Sequence, residues 1–273
     1  MSSARWRGLY GIADLVFAVE ADVRLSDLAR ALYIGARTDR VRPSISFSLE
    51  NRADRYILRR NGLEIVAAAD LPSFFQEVEW NLTETAMEGL GHFFQVHAGV
   101  AVFEDRAHLL IGPPDAGKTS LVLGLAERGA TVFTDEVALV EPRHLRVQSF
   151  RRDLIVHRET ERLFVATLAH LDSPPFKVFP AYRYLDPTGL DGGHGATSAA
   201  IAQLVFPVLR LGAAVEVRPV GQAEAARRVL EQVFNLDSWK EQGVDLIGRL
   251  VEACGAVEVV FGDARHLGRI YAP

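Results

Sequence analysis

Leu109-Leu110-Ile111-Gly112-Pro113-Pro114-Asp115-Ala116-Gly117-Lys118-Thr119-Ser120 decides how the chain is read: an apolar strand breaks into the spacing G-x-x-x-x-G-K-[ST]. Each position in that pattern has a physical task. Gly112 lets the chain leave the strand, and Gly117 leaves room for backbone N–H groups to curl round phosphate oxygens. Lys118 reaches the β- and γ-phosphates, and Thr119 offers its hydroxyl to Mg²⁺. Thr119 and Ser120 also open a helix whose positive dipole end faces the anion. The spacing predicts that Gly112, Asp115, Ala116, Gly117, Lys118, Thr119 and Ser120 bind ATP. Basic residues here are overwhelmingly arginine, and Lys118, Lys177 and Lys240 are the only lysines, so a lysine at this point is not compositional drift.

The surroundings of the motif extend the expectation. Leu121, Val122, Leu125 and Ala126 read as an amphipathic helix ending at Gly129, and Thr131–Thr134 as a strand ending in Asp135-Glu136. Strand ends beside a phosphate loop lie within reach of the γ-phosphate. Two roles for Asp135 stay open: accepting the proton of an incoming hydroxyl, or holding Mg²⁺ and positioning water. Upstream, Phe93–Phe103, a turn at Glu104-Asp105-Arg106 and Leu109–Ile111 form a hairpin feeding the loop. Doubly wound nucleotide folds carry a helix there, so a less common P-loop architecture is expected. His97 opens that hairpin and is a candidate beside the phosphates. Glu136 and Glu159 join Thr119 as candidate metal contacts, and Arg151, Arg152 and Arg183 are candidates to steady charge on a transferring phosphoryl group.

Residues 1–91 read as a small α+β module. Leu15–Val23 makes a strand, Ser26 caps a short helix, and Ile45, Phe47 and Leu49 alternate as on a half-buried strand. Asn61-Gly62 marks a hairpin, and a helix runs from Pro72-Ser73 to about Leu90. Residues 92–273 form the nucleotide-binding part. Within it, Asp172–Ser198 is rich in Pro and Gly and predicts a mobile surface segment, which leaves open a lid or substrate loop and an inert loop. Helices over Gln222–Phe234 and Val244–Cys254 and a strand over Val257–Phe261 close the chain.

His97-Ala98-Gly99-Val100, the hairpin, Gly112–Thr119, the helix ending Arg128-Gly129 and Asp135-Glu136, in this order, resemble the C-terminal catalytic domain of the HPr kinase/phosphorylase family. The resemblance is specific from His97 to about Val140. It implies an α/β P-loop kinase fold of the HPr kinase/phosphoenolpyruvate carboxykinase type behind a small N-terminal α+β module. It also implies ATP and Mg²⁺ as cofactors, Lys118 and Thr119 as their ligands, Asp135 as acid/base on a serine hydroxyl and His97 as its assistant. The chain departs from the family at Glu136, where an aspartate is usual, and in lacking the E-[IV]-R-G-[LI]-G signature. Kinases that act on ribosomally made peptides, including those phosphorylating the terminal serine of lasso-peptide precursors, share this trimmed look. The expected function is thus an ATP-dependent serine kinase acting on a protein or peptide, with a nucleotide-gated binding module or slow ATPase as the alternative. Homo-oligomerisation stays open.

Composition bounds the remaining choices. With 273 residues, 49% of them hydrophobic and 24% charged, the chain is an ordinary globular sequence. A formal net charge of −5 with interspersed signs offers no basic field for nucleic acid or an anionic membrane. Arg59-Arg60, Arg151-Arg152 and Arg227-Arg228 are compatible with phosphate, and each reads otherwise as a solvated face. Cys254 is the sole cysteine, so an intrachain disulfide and a cysteine-rich metal site are both excluded. Its spacing from Ile247, Leu250 and Val251 makes it a small buried hydrophobe. Asp14, Glu20 and Asp22 interrupt the N-terminal apolar patch, and no run is long enough to span a bilayer, so a cytoplasmic protein is expected.

Overall fold

The computed structural model describes residues 5–32, 36–38, 42–52, 55–171, 173–190 and 197–269. Over these the protein is mixed α/β, with seven α-helices and several sheets. Among the described residues no helix is long and apolar enough to cross a membrane. The chain divides into two compact units. The first comprises Met1–Leu90, Arg151–Asp153 and Asp172–Asp186, the second Gly91–Phe150, Leu154–Leu171 and Pro187–Pro273, each over its described residues.

The first unit contains β1 (Arg5–Ile12), β2 (Leu15–Asp22), α1 (Ser26–Ala31), β3 (Ala36–Arg37), β4 (Ile45–Arg52), β5 (Arg55–Arg60), β6 (Leu63–Ala68) and α2 (Leu71–Gly89). Its sheet has the order β3-β1-β2-β4-β5-β6. Neighbours are antiparallel except β2 and β4, whose parallel pairing requires the crossover that carries α1. Asn61 and Gly62 both hold positive φ, 50° and 84°, as a two-residue hairpin turn demands. Asp70 caps α2 by accepting the Ser73 amide at 2.9 Å. β1 is absent from the sequence expectation, because Arg5, Arg7, Gly8 and Gly11 dilute the alternation that ends in buried Tyr10 and Ile12.

The second unit opens with β7 (Phe94–Phe103), which turns back into β8 (Arg106–Ile111), the hairpin expected from the sequence. There follow α3 (Lys118–Ala126), β9 (Thr131–Thr134), β10 (Val137–Glu141), β11 (Arg146–Gln148), β12 (Leu154–His157), α4 (Arg158–Leu163) and α5 (Val165–Leu168). After β13 (Tyr182–Leu185), which belongs to the first unit, come β14 (Ser198–Leu209), β15 (Glu216–Pro219), α6 (Gln222–Leu230), α7 (Leu236–Ala253) and β16 (Gly255–Phe261). The sheet runs β11-β10-β7-β8-β14-β16-β15, with β9 also beside β7. β11 pairs with β14 as well, so β10, β7, β8, β14 and β11 close a ring of pairings. On one face Val96, Ala98, Val100, Leu109, Leu204 and Phe206 share a core with Ala225 and Val229 of α6 and with Leu246, Ile247 and Leu250 of α7. The opposite face receives α3 over Gly99, where a Cβ would stand 2.8 Å from Val122 Cγ2.

Three helices differ from expectation. α7 begins at Leu236, eight residues before the expected Val244. α3 is not amphipathic: Leu123 and Gly124 are buried along with Leu121, Val122, Leu125 and Ala126, as in a helix enclosed on every side. α6 stops at Leu230 instead of Phe234, because the chain beyond it straightens to bond the start of β7. His97 N donates to Gln232 O at 2.7 Å and Phe234 N to Gln95 O at 2.9 Å.

The assignment of all of 92–273 to the nucleotide-binding part also needs correction. Arg151–Asp153 and the described residues of Asp172–Asp186 pack with the first unit. Arg152, expected on a solvated face, is 5% exposed and holds Glu79 at 2.9 Å. Lys177 Nζ lies 2.6 Å from Asp153 Oδ2 and 5.4 Å above the Phe75 ring. Phe176 and Tyr184 meet the same ring at 5.6 and 5.0 Å between centroids. The expected mobile segment is therefore anchored over 173–186, because aromatic side chains set between its prolines bury large apolar surfaces. Its remaining part at Asp191-Gly192-Gly193-His194-Gly195 lies outside the described residues.

Candidate functional site

The register of one strand assembles the site. β7 pairs Ala98 with Ile111 on one edge, and on the other it pairs Val100 with Thr134 and His97 with Val137. Asp135-Glu136, the step between β9 and β10, is thereby held beside the point where the chain leaves β8 at Gly112. Ala98 N seals this step by donating to Glu136 O at 3.0 Å. The acid pair and the glycine loop, distant in sequence, become neighbours because both flank the middle of β7.

The loop closes over the strand ends. Gly117 caps α3 with φ 95°, and a Cβ there would meet Phe261 Cζ at 2.7 Å and Leu209 Cβ at 3.2 Å, so both conformation and space demand glycine. Lys118 Nζ donates to Gly112 O at 2.8 Å and Pro113 O at 3.0 Å, which arches its side chain across the loop it belongs to. Burial pushes the Lys118 ammonium pKa down, against the opposing pull of Glu136, Asp135 and Asp115. Thr119 Oγ1 donates to Asp135 Oδ2 at 3.1 Å. Ser120 Oγ lies 3.1 Å from Thr160 Oγ1, tying the start of α3 to α4.

A cleft of about 330 Å³ opens here. It is lined by His97, Asp115, Gly117, Lys118, Thr119, Ser120, Asp135, Glu136 and Glu159, that is, by every expected site residue except Gly112, Ala116 and the three arginines. Gly112 and Ala116 line a second cleft on the other side of the loop. Arg151, Arg152 and Arg183 belong to the first unit and line neither. His97 stands between two acceptors: Nε2 is 3.3 Å from Glu136 Oε1 and Nδ1 is 3.2 Å from Gln232 Oε1. Its ring also leans on Phe234, with 5.4 Å between centroids. Asp135 is 4% exposed, whereas the Glu136 side chain is 38% exposed and faces the open cleft.

Sequence reasoning did not find His157, Thr160 and Leu209 in the cleft, or Gln232 behind His97. Thr160 alone left a signal, as the residue following Glu159 on the same short helix. Among the described residues no three His, Cys, Asp or Glu side chains gather at metal-holding distances. A hard divalent cation bound through one or two carboxylates and the phosphates of its nucleotide needs no such cluster, and the adjacent Thr119 hydroxyl and Asp135 carboxylate fit that requirement. Cys254 plays no part: it is buried, its thiol donates to Ile201 O at 3.3 Å, and burial pushes its pKa up. Compared with known proteins, the chain matches no protein-family model and no curated protein sequence.

Proposed function

We propose that the protein is an ATP- and Mg²⁺-dependent kinase that transfers the γ-phosphoryl group to a serine hydroxyl of a protein or peptide, using a P-loop site of the HPr kinase type. The observation that carries this reading is the 3.1 Å bond between Thr119 Oγ1 and buried Asp135 at the mouth of a loop bridged by Lys118. A Gly/Pro turn that binds nothing has no use for a buried acid held against its threonine.

The two acids divide the work by exposure. Asp135, enclosed beside Thr119, suits the metal side of the site. When bound, Mg²⁺ neutralises charge on the β- and γ-phosphate oxygens. Lys118, released from the Gly112 and Pro113 carbonyls, adds its charge to the same phosphates. Glu136, open to the cleft and steadied by His97, suits the acceptor side. As the serine oxygen bonds to the γ-phosphorus and the bridging bond to ADP breaks, the hydroxyl proton passes to the Glu136 carboxylate. This moves the base from Asp135, where the family resemblance puts it, to the neighbouring acid.

Calorimetry of ATP binding, beside mass spectrometry of serine-bearing peptides and carrier proteins incubated with ATP, separates these roles. Glu136→Gln is expected to keep ATP affinity while transfer falls about 10²–10⁴-fold, the usual worth of a positioned base. Asp135→Asn is expected to weaken binding of the metal nucleotide, with partial recovery at raised Mg²⁺. The opposite pattern returns the base to Asp135. Wild-type protein that binds ATP yet phosphorylates no serine acceptor sinks the kinase reading and leaves a nucleotide-gated binding module or slow ATPase.

A further inference from the structure

Beyond α6 the chain is stapled to the start of β7. His97 N donates to Gln232 O at 2.7 Å, Phe234 N to Gln95 O at 2.9 Å, Gln95 N to Asn235 Oδ1 at 3.0 Å and Asn235 Nδ2 to Phe93 O at 2.8 Å. Successive side chains of such an extended stretch point to opposite sides. Val233 packs on the core, whereas Gln232 and Phe234 both meet His97, the first at Nδ1 and the second against the ring, with 5.4 Å between centroids. We propose that Phe234 selects the acceptor by taking an apolar side chain that lies within two residues of the phosphorylated serine, an inference that rests on the kinase reading of the site.

Position is the first support. An isolated apolar side chain on a surface needs no explanation, but Phe234 stays 45% exposed on a fixed backbone while leaning on the ring that steadies the base. Nε2 of that ring lies 3.3 Å from Glu136 Oε1, so Phe234 and the base flank the same imidazole. One or two residues of extended peptide, at about 3.3–3.6 Å each, cover the separation. A serine whose hydroxyl meets Glu136 therefore brings a neighbouring side chain over the uncovered part of Phe234.

The chemistry of the ring sets what that neighbour must be. A polar side chain gives up hydration on Phe234 and finds no hydrogen-bonding atom there in return. A leucine, a methionine or an aromatic residue removes apolar surface from water on both partners. The substrate class is thus a peptide or protein segment with an apolar residue beside its serine. Free serine has nothing to place on Phe234 and is a poor acceptor.

Peptides with a single serine, varied at the two positions on either side of it and incubated with the full chain, ATP and Mg²⁺, test the proposal by mass spectrometry. Leucine or phenylalanine at one of these positions is expected to raise kcat/KM about tenfold over glutamine, mostly through a lower KM, because one small apolar contact is worth at least that much in recognition. Phe234→Ala is expected to bring the apolar and the glutamine peptides to the same KM, and Phe234→Leu, which keeps an apolar side chain, to retain most of the preference. The wild-type series needs no variant: equal KM for apolar and glutamine peptides, or a preference for a charged neighbour or for free serine, overturns the assignment while leaving ATP-dependent transfer in place. A Phe234→Ala enzyme that keeps the preference overturns it as well. So does one that loses kcat equally on both peptides with their KM ratio unaltered, since Phe234 would then only pack His97. Wild-type protein that phosphorylates no serine at all sinks the kinase reading and the proposal with it.

Discussion

His97 is gripped at both ring nitrogens, and that fixes how its imidazole faces the cleft. Gln232 Oε1 lies 3.2 Å from Nδ1 and Glu136 Oε1 3.3 Å from Nε2, so the ring spans the two side chains in one orientation. Gln232 is therefore a positioning residue: it acts on the acid pair only through the ring it orients. Gln232→Leu is expected to shift the ring ¹⁵N resonances of His97 and to change the pH profile of transfer. Unchanged ¹⁵N shifts would remove Gln232 from the mechanism. The motif residues were readable in the sequence because each acts through spacing to its neighbours, from Gly112 through Thr119. Gln232 was not, since its bond to His97 spans 135 positions and no local pattern announces such a pairing.

α3 shows the same division among elements. Its start was fixed by the motif and its end by Gly129, which holds φ 86°. Its burial on all sides depends on what covers its outer face: a Cβ on Gly124 would stand 2.8 Å from the Ala264 carbonyl oxygen, a backbone atom with little freedom to retreat. Gly124→Ala is expected to destabilise the second unit by about 1–3 kcal/mol through overpacking, and denaturant unfolding measures it. A midpoint equal to wild type would show that the segment at Ala264 yields freely. Strands with strong alternation, such as β4, and the hairpin at Asn61-Gly62 could be placed from sequence. β1, interrupted by glycines, and the end of α6, set by bonds to β7, could not, because tertiary pairing decided them over local propensity.

Across the whole molecule the sequence order conceals one exchange: two short pieces embedded in the second half fold with the first unit and bring buried charge into it. A guanidinium cannot shed its proton, so Glu79→Ala, which leaves Arg152 enclosed without its carboxylate, is expected to cost about 3–5 kcal/mol. Glu79→Leu combined with Arg152→Met is expected to recover most of that loss, since it removes both charges together. A double variant no more stable than the single one would mean that packing, not charge, sets the cost. Nothing in the composition marks Arg152 as different from Arg151; only the fold puts one of them opposite Glu79.

Asp153, the neighbour of Arg152, makes the same buried cluster sensitive to pH. Burial, reinforced by Glu79 and Asp186, pushes its carboxyl up to about 7 from an ordinary 3.8, while Lys177 at 2.6 Å pulls the other way. The folded chain then binds a proton at Asp153 that the unfolded chain has released, so the stability from this group is complete below about pH 4 and is lost as pH rises through 7. Asp153→Asn cannot titrate and removes this dependence, whatever constant cost it adds by leaving Lys177 without its carboxylate. Urea unfolding of the full chain between pH 4 and 8 is therefore expected to show the wild-type minus Asp153→Asn stability difference falling across that interval and levelling off above it. A difference that stays flat between pH 4 and 8 would mean that attraction to Lys177 outweighs desolvation and that Asp153 is ionised throughout.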